Sequence, residues 1–189
     1  MTADYLPPTE FLRECFLYDP ENGTFFWKHR PERHFGKPHI ARVWNLQFAG
    51  RPAFVGRDKD GYARCEVRYG GRRVRVRASK VAYKLMTGEE HELLDHRNRV
   101  RTDNRFENLR PARPIDNSRN CEGKPDRLLP KGVFFEQGKF AASLSLHQRK
   151  VRLGRFATPS EAHAAYCAAA SKLFGEFFNP GPPKFTIWD

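Results

Sequence analysis

A polar stretch from Leu93 to Asn120 restricts the possible folds of this chain more than any other segment. It places Asp95 and His96 directly after two leucines and then supplies spaced asparagines with arginines between them, namely Asn104, Asn108, Asn117 and Asn120. Such residues are poor material for an apolar core. Their oxygens are the ligands that a hard divalent cation prefers, and an imidazole is a suitable general base. The stretch therefore predicts a metal ion held beside a base.

The charge balance of the chain indicates a polyanionic partner. The 189 residues include 34 Lys and Arg against 22 Asp and Glu, which gives a net charge of +12 and a pI near 9.9. Nucleic acid is the densest polyanion in a cell and is the leading expectation. A basic protein that is merely soluble is the alternative.

Composition disfavours a membrane protein and a disulfide-rich one. No apolar run reaches the roughly 18 residues that span a bilayer, and the N-terminus shows no basic and apolar leader. We therefore expect no membrane partner and a place in the cytoplasm of a host cell. The cysteines form no Cys-x-x-Cys motif, which argues against a zinc site and favours reduced thiols at all four positions, Cys15, Cys65, Cys121 and Cys167.

Alternating residues predict a basic β-hairpin upstream of the polar stretch. Two strands, 62–69 and 72–77, flank the turn signal Gly70-Gly71. Val74 and Val76 would face one side, and the other side would carry the arginines that we expect to contact the DNA backbone, Arg73, Arg75 and Arg77. A merely solvated face is the alternative. A helix over 78–87, ended by Gly88, should follow, with Val81, Ala82, Leu85 and Met86 pointing inward.

The sequence also predicts elements before and after this region. At the N-terminus we expect a helix capped by Thr9, a strand over 24–27, and then an irregular basic stretch over 28–45, which is more suited to contact phosphate than to bind a metal. After Asn120 the composition indicates a linker. Three strands should then precede a helix that begins at Thr158 and stops at Gly175, with a capping-box glutamate at Glu161.

The polar stretch suits hydrolysis of a phosphodiester. His96 could activate water, while a divalent cation would neutralise charge on the transition state and stabilise the leaving oxygen. Neighbours on a strand point to opposite sides, so a distortion or a following loop is needed before Asp95 and His96 can act together. A second extended piece begins at Asn108, and Pro114 can start a helix that returns Asn117 toward Asp95.

The pattern DH…DNR…ENLR…DNSRN resembles the ββα-metal core of HNH endonucleases, in particular the Asn-rich subgroup of phage and intron-homing enzymes. The resemblance covers residues 54–120, and YDPENGTFFW resembles a segment common in free-standing phage proteins of this kind. It implies that Asp95 and Asn117 bind Mg²⁺ (or Mn²⁺), that His96 is the base, and that Asn108 orients the His-bearing strand through backbone hydrogen bonds. Many relatives carry His-Arg where this chain has Ser79-Lys80, which puts a supporting contact in question.

The C-terminal segment resembles the ethylene-response-factor (APETALA-type) DNA-binding domain. The matching marks are the Gly-Val start, the LGRFATPSEA run and the alanine-rich helix around Tyr166. The resemblance implies a three-stranded sheet laid in the major groove. The positions that correspond to the family's DNA contacts are Lys131, Phe134, Glu136, Ser143, Ser145, Lys150 and Arg152, of which we carry forward Lys131, Lys150 and Arg152.

These observations lead to one expectation. We expect an α+β protein with an HNH nuclease core, preceded by a basic hairpin and helix, and a small three-stranded antiparallel sheet packed on one helix. The predicted ranges are an N-terminal segment 1–53, the core 54–120, a linker 121–130, the DNA-binding domain 131–180 and a tail 181–189. The expected activity is metal-dependent cleavage of double-stranded DNA, of homing or mobile-element type, without a small-molecule cofactor. A monomer is the simplest expectation.

Two other functions draw on the same residues. A non-catalytic, sequence-specific DNA-binding regulator could use the nuclease fold, and an RNA-binding protein could use the same charge. The sequence shows no aromatic stacking platform that would favour single strands. It does not reveal the target site, nicking versus double-strand cleavage, the oligomeric state, or the choice between Mg²⁺ and Mn²⁺.

Overall fold

The chain forms a mixed α+β structure that divides into two compact units. The computed structural model describes residues 6–121, 127–146 and 149–181. The units comprise residues 1–112 and 113–189. Within the described residues there are five α-helices and four small antiparallel sheets. No helix among the described residues is long and apolar enough to cross a membrane.

The first unit contains three sheets and three helices. The sheets pair β1 with β2, join β3 to β4 and β5, and pair β6 with β7. The elements, in chain order, are α1 (Thr9–Cys15), β1 (Phe16–Asp19), β2 (Thr24–Trp27), α2 (Pro38–Phe48), β3 (Gly56–Arg57), β4 (Ala63–Tyr69), β5 (Arg72–Arg77), α3 (Ala78–Thr87), β6 (Leu94–His96) and β7 (Leu109–Pro111).

One apolar core holds the first unit together. Buried residues of α1, β1 and β2, such as Leu12, Phe16 and Phe25, pack with Val67 and Val81 from β4 and α3. The segment 1–53 therefore shares its core with the hairpin and is not a module apart. The unit boundary at Ala112 also precedes the predicted linker, of which residues 122–126 lie outside the described part of the chain.

The predicted irregular stretch over 28–45 is wrong. Residues Pro38–Phe48 form α2, with Pro38 in the first turn, where its missing N–H costs no hydrogen bond. His34 is buried, and its Nε2 lies 2.6 Å from the carboxylate of Glu14, so it does not present itself to phosphate. Proline and glycine usually interrupt a helix, but Pro38 lies at the first position of α2, where proline can start one.

The hairpin and the helix after it are confirmed, with one difference in detail. Helix α3 ends at Thr87 and is capped by Gly88, whose φ of 77° is left-handed. Val81 and Ala82 are buried, but Met86 is 46% exposed because it lies in the last turn, beyond the core. Helix α1 is preceded by Pro8 as its N-cap and has no side-chain cap, so the expected capping role of Thr9 is wrong.

The second unit is a helix followed by a sheet packed on a second helix. Its elements are α4 (Pro114–Asn120), β8 (Val133–Glu136), β9 (Lys139–Leu146), β10 (Arg149–Phe156) and α5 (Pro159–Phe174), and the sheet order is β10-β9-β8. The predicted strands are confirmed except at His147, which lies outside the described residues. Thr158 caps α5 by accepting a 3.2 Å hydrogen bond from the backbone N–H of Glu161. The core joins apolar residues of all three strands to α5, including Val133, Leu144, Ala162 and Tyr166.

Candidate active site

Strands β6 and β7 position the Asp-His pair. The register places Asp95 opposite Arg110 and His96 opposite Leu109. Asp95 and His96 are both buried, with 8% and 3% of their surface exposed. Oδ2 of Asp95 accepts hydrogen bonds of 2.9 Å from Nε and 2.6 Å from Nη2 of Arg110, which is itself buried. The carboxylate is therefore held rigidly, and its charge is balanced by an internal cation.

A carboxamide lies against the imidazole of His96. Nε2 of His96 lies 3.4 Å from Oδ1 of Asn104, and Asn104 donates from Nδ2 to the carbonyl of Thr102 at 3.1 Å. That second bond turns the amide oxygen toward the imidazole. The contact with Asn104 therefore orients the ring of His96.

An aromatic ring and burial set the environment of the imidazole. The ring of Tyr62 lies beside that of His96, with centroids 5.7 Å apart. Burial lowers the pKa of His96 below its ordinary value, while the hydrogen bond to Asn104 and the charge of Asp95 act in the opposite direction. A lowered pKa keeps the imidazole neutral near pH 7, the form that can accept a proton.

Asn108 fixes the loop that follows His96. Its Oδ1 accepts from the backbone N–H of Asn98 at 2.9 Å, and its Nδ2 donates to Oδ1 of Asn98 at 3.0 Å and to the carbonyl of Asp103 at 2.8 Å. The backbone N–H of Arg97 also donates to the carbonyl of Asn108 at 2.9 Å. The backbone hydrogen bonds expected of Asn108 are thus present. Its catalytic role stays a prediction.

The N-terminal turn supports the same loop from the other side. Tyr18 donates from its hydroxyl to the carbonyl of Asn104 at 2.7 Å, and the N–H of Phe106 donates to the carbonyl of Pro20 at 3.0 Å. Gly23 has a φ of 67°, and a Cβ there would lie 2.4 Å from the backbone nitrogen of Arg105. Only glycine permits this approach.

Asn117, the second predicted metal ligand, lies on α4 in the second unit, whereas Asp95, His96 and Asn108 lie in the first. Its Oδ1 is buried and has no hydrogen-bond partner among the residues that the structure describes. An orphaned carboxamide oxygen fits a hard cation, and so does the carboxylate of Asp95. No group of three or more His, Cys, Asp or Glu side chains within 6–121, 127–146 and 149–181 is placed to hold a metal. The predicted pair, one carboxylate and one carboxamide, is a different kind of set.

Internal ion pairs involve the hairpin arginines that we expected to contact DNA. Arg77 pairs with Asp58, with 2.6 Å between Nη2 and Oδ2, and lies over the Tyr62 ring. Arg73 and Arg75 are each 73% exposed at the side chain, and Glu66 lies 3.6 Å and 3.9 Å from them. These two side chains are placed to meet solvent or a ligand.

Among the C-terminal candidates, Lys131 has a different environment from the one predicted. Its ammonium donates to the carbonyls of Arg119, Cys121 and Asn179 at 2.9, 2.7 and 3.0 Å. An ammonium has three N–H donors, so these carbonyls occupy all of them. Lys131 is therefore placed as a structural anchor for the end of α4. A phosphate contact would require it to give up one of these bonds.

The other two C-terminal candidates lie on the outer face of the three-stranded sheet. Nζ of Lys150 is 4.0 Å from the centroid of the Phe134 ring, and Arg152 pairs with Glu136. Both contacts join β10 to β8. They are possible because β9, between them, carries the small residues Ala141 and Ser143 on that face.

Sequence reasoning missed the direct partners of the Asp-His pair. It gives Asn104 no role apart from the other spaced asparagines, it gives Arg110 no role, and it places Tyr62 in a strand. The antiparallel register of β6 and β7 could have identified Arg110, because it is the residue that lies opposite Asp95. No sequence signal identifies Tyr62, whose ring reaches His96 through the fold.

The cysteines agree with the prediction of reduced thiols. All four are free, with Cys15 buried and Cys121 exposed.

No family model matches this chain, and neither a curated protein nor a solved structure matches it.

Proposed function

We propose that this protein is a metal-dependent endonuclease that hydrolyses phosphodiester bonds in double-stranded DNA. The observation that carries the proposal is the buried His96, adjacent to Asp95, with its Nε2 3.4 Å from Oδ1 of Asn104. A neutral imidazole beside a fixed carboxylate is the arrangement that water activation requires. The proposal assigns the chain to the HNH type, with Asn108 as the residue that orients the His-bearing strand.

Each residue has a separate duty in the proposed reaction. The imidazole of His96 accepts the proton of the attacking water, and Asn104 keeps the ring oriented while it does so. Asp95 and Asn117 would each offer an oxygen ligand to Mg²⁺ or Mn²⁺. Such a cation would neutralise charge at the phosphoryl group and at the leaving oxygen. Arg110 keeps the carboxylate of Asp95 in one orientation.

The second unit would bind DNA through its sheet. The support for this is the β10-β9-β8 sheet, backed by α5, with Lys150 and Arg152 on the outer face. A three-stranded sheet of this kind can enter the major groove. This assigns target recognition to a unit other than the one that carries His96, as in a homing-type enzyme.

The direct test is cleavage of supercoiled plasmid by purified protein with Mg²⁺ or Mn²⁺. The wild type should nick or linearise the plasmid, EDTA should stop the reaction, and His96→Ala should reduce the rate at least about 100-fold. His39→Ala, at an exposed histidine on α2, is the matched control and should cleave as the wild type does. Equal background cleavage rates for wild type and His96→Ala would contradict the proposal.

A non-catalytic DNA-binding regulator is the second candidate. It is favoured by one observation, that Arg110 already balances the charge of Asp95 without a cation. The regulator predicts specific DNA binding without metal-dependent cleavage. Calorimetric titration of Mn²⁺ into wild type and Asp95→Asn separates the two, because only the nuclease should bind the metal at this carboxylate.

A further inference from the structure

The register of the β4-β5 hairpin gathers more arginines on one face than the sequence alone revealed. The cross-strand pairs on that face are Arg64 with Arg77, Glu66 with Arg75, and Arg68 with Arg73. Five of these six residues are arginine, so the face carries a net charge of +4 (five minus one). We call these six residues the arginine face. The opposite face contributes Val67 and Val76 to the core.

This arrangement costs the folded protein free energy. Directly opposed residues in an antiparallel pair have Cβ atoms about 4.5–5.5 Å apart, and like charges there are destabilising. Two of the three cross-strand pairs on the face, Arg64 with Arg77 and Arg68 with Arg73, are arginine with arginine. Arg77 gains an ion pair with Asp58, so the net repulsion is greatest for Arg68 with Arg73, and replacing Arg68 should stabilise a chain without an anionic ligand.

Glu66 relieves only part of that repulsion. Its two oxygens lie 3.6 Å from Nε of Arg73 and 3.9 Å from Nε of Arg75, while both arginine side chains remain 73% exposed. At these separations the contacts are loose ion pairs in water, which are worth little and are easily exchanged. A phosphate could therefore replace the carboxylate at either guanidinium.

The arginine face leads toward His96. Arg77, at the base of β5, lies over the Tyr62 ring with its guanidinium carbon 4.4 Å from the centroid, and the same ring lies 5.7 Å from that of His96. Beside it is a cleft of about 430 Å³, whose cations are Lys59, Arg64, Arg75, Arg77 and Lys80, against the acids Asp58 and Asp60. Cationic side chains therefore line the surface from the hairpin to the Tyr62 ring that lies beside His96.

We propose that the arginine face docks on the phosphate backbone of duplex DNA, and that Glu66 is an internal counter-ion which DNA phosphates displace. The inference rests on the proposed function and names the surface that brings its substrate to His96. A two-stranded ribbon fits the major groove of B-form DNA, which is about 12 Å wide. The deep and narrow major groove of A-form RNA does not admit such a ribbon, so DNA is the favoured partner.

The test measures binding without cleavage. All variants carry His96→Ala, EDTA is present, and the dissociation constant for a duplex of unrelated sequence is followed by fluorescence anisotropy from 50 to 300 mM KCl. Arg64→Gln, Arg68→Gln and Arg73→Gln should each lower the slope of log K against log salt by about 0.9, and the triple variant by about 2.7. Glu66→Gln should bind at least threefold more tightly than the parent at 150 mM KCl.

A matched control distinguishes the effect of the arginine face on DNA binding from the effect of overall charge. Arg42→Gln removes one exposed arginine from α2, away from the face, and should change the slope by less than about 0.3. Thermal unfolding at low salt guards against misfolding, because Arg68→Gln removes a like-charge pair and its midpoint should equal or exceed that of the parent.

Three results would overturn the inference. They are an effect of Arg42→Gln as large as that of the face variants, binding by Glu66→Gln no tighter than the parent, and competition by double-stranded RNA as strong as by DNA. A different result would contradict the proposed function alone. If wild type binds through this face but does not cleave plasmid, the docking surface stands and the nuclease assignment falls.

Discussion

The guanidinium of Arg110 donates two hydrogen bonds to a single oxygen of Asp95, at 2.9 and 2.6 Å, and both residues are buried. Removing one partner of a buried ion pair leaves an uncompensated charge. Arg110→Met should therefore lower the free energy of unfolding by about 3–5 kcal/mol, measured by urea denaturation.

The double variant Asp95→Asn/Arg110→Met tests the cause of that loss. It removes both charges and should regain most of the stability lost in Arg110→Met. If Asp95 also binds a cation, Mg²⁺ should raise the unfolding midpoint of Arg110→Met but not that of the double variant. A double variant as unstable as the single one would show that the ion pair is not the reason.

Asn108 holds the backbone on both sides of the loop after His96 through three hydrogen bonds of its side chain. Asn108→Ala should cost about 1–3 kcal/mol, because it leaves buried backbone groups without partners. Hydrogen exchange at the amide of Asn98 should accelerate in the same variant. Asn108→Asp keeps the acceptor for that amide and should leave it protected, so equal exchange in the two variants would contradict this account.

Lys131 and Lys150 should respond differently to the same substitution, although both were predicted to contact DNA. Lys131→Met removes three hydrogen bonds to carbonyls and should cost at least about 2 kcal/mol. Lys150→Met removes an exposed cation–π contact and should cost less than about 1 kcal/mol. Only Lys150→Met should reduce the salt dependence of DNA binding. The reverse ranking in chemical denaturation would contradict the anchoring role of Lys131.

The pair of Asp103 and Arg105 predicts a pH dependence of stability. Hydrogen bonds from Arg105 lower the pKa of Asp103 to about 2 from an ordinary value of 3.8. A lowered folded-state pKa contributes stability that is fully present above about pH 4 and is lost as the pH falls toward 2. Because 17% of the Asp103 side chain and 42% of the Arg105 side chain are exposed, solvent screens the pair, and we expect a contribution of about 1 kcal/mol.

Comparison of wild type with Asp103→Asn checks this window. The wild type should be more stable at pH 6, and the difference should shrink to near zero at pH 2. A difference that does not change between these two values would show that the carboxylate charge has no part in it.

Local patterns predicted those elements whose cause is itself local. The hairpin, α3 and α5 follow from alternation, glycine turns and capping residues close in sequence, such as Thr158 with Glu161. Strand β7 lies where a second extended piece is predicted from Asn108 onward. The backbone bonds of Asn108 are expected from the resemblance to HNH endonucleases and not from the residues alone.

The contacts that sequence reasoning missed are those that depend on register or on distant chain segments. Tyr18 reaches Asn104 across 86 positions, and Lys131 reaches Asn179 across 48. Arg64 and Arg68 join the arginine face only because Gly70 and Gly71 set a two-residue turn, which fixes the pairing of every residue behind it. The order of residues along the chain does not directly show such contacts.

Lys131 and Asn179 together secure the end of α4, since Asn179 also donates from Nδ2 to the carbonyl of Asn120 at 2.7 Å. A seven-residue helix is too short to be stable by itself. Any exchange of C-terminal modules at 121–130 would therefore separate α4, and Asn117 with it, from the groups that keep it folded. An exchange at the junction of Ala112 and Arg113 keeps α4 with the sheet it depends on and should leave α4 folded.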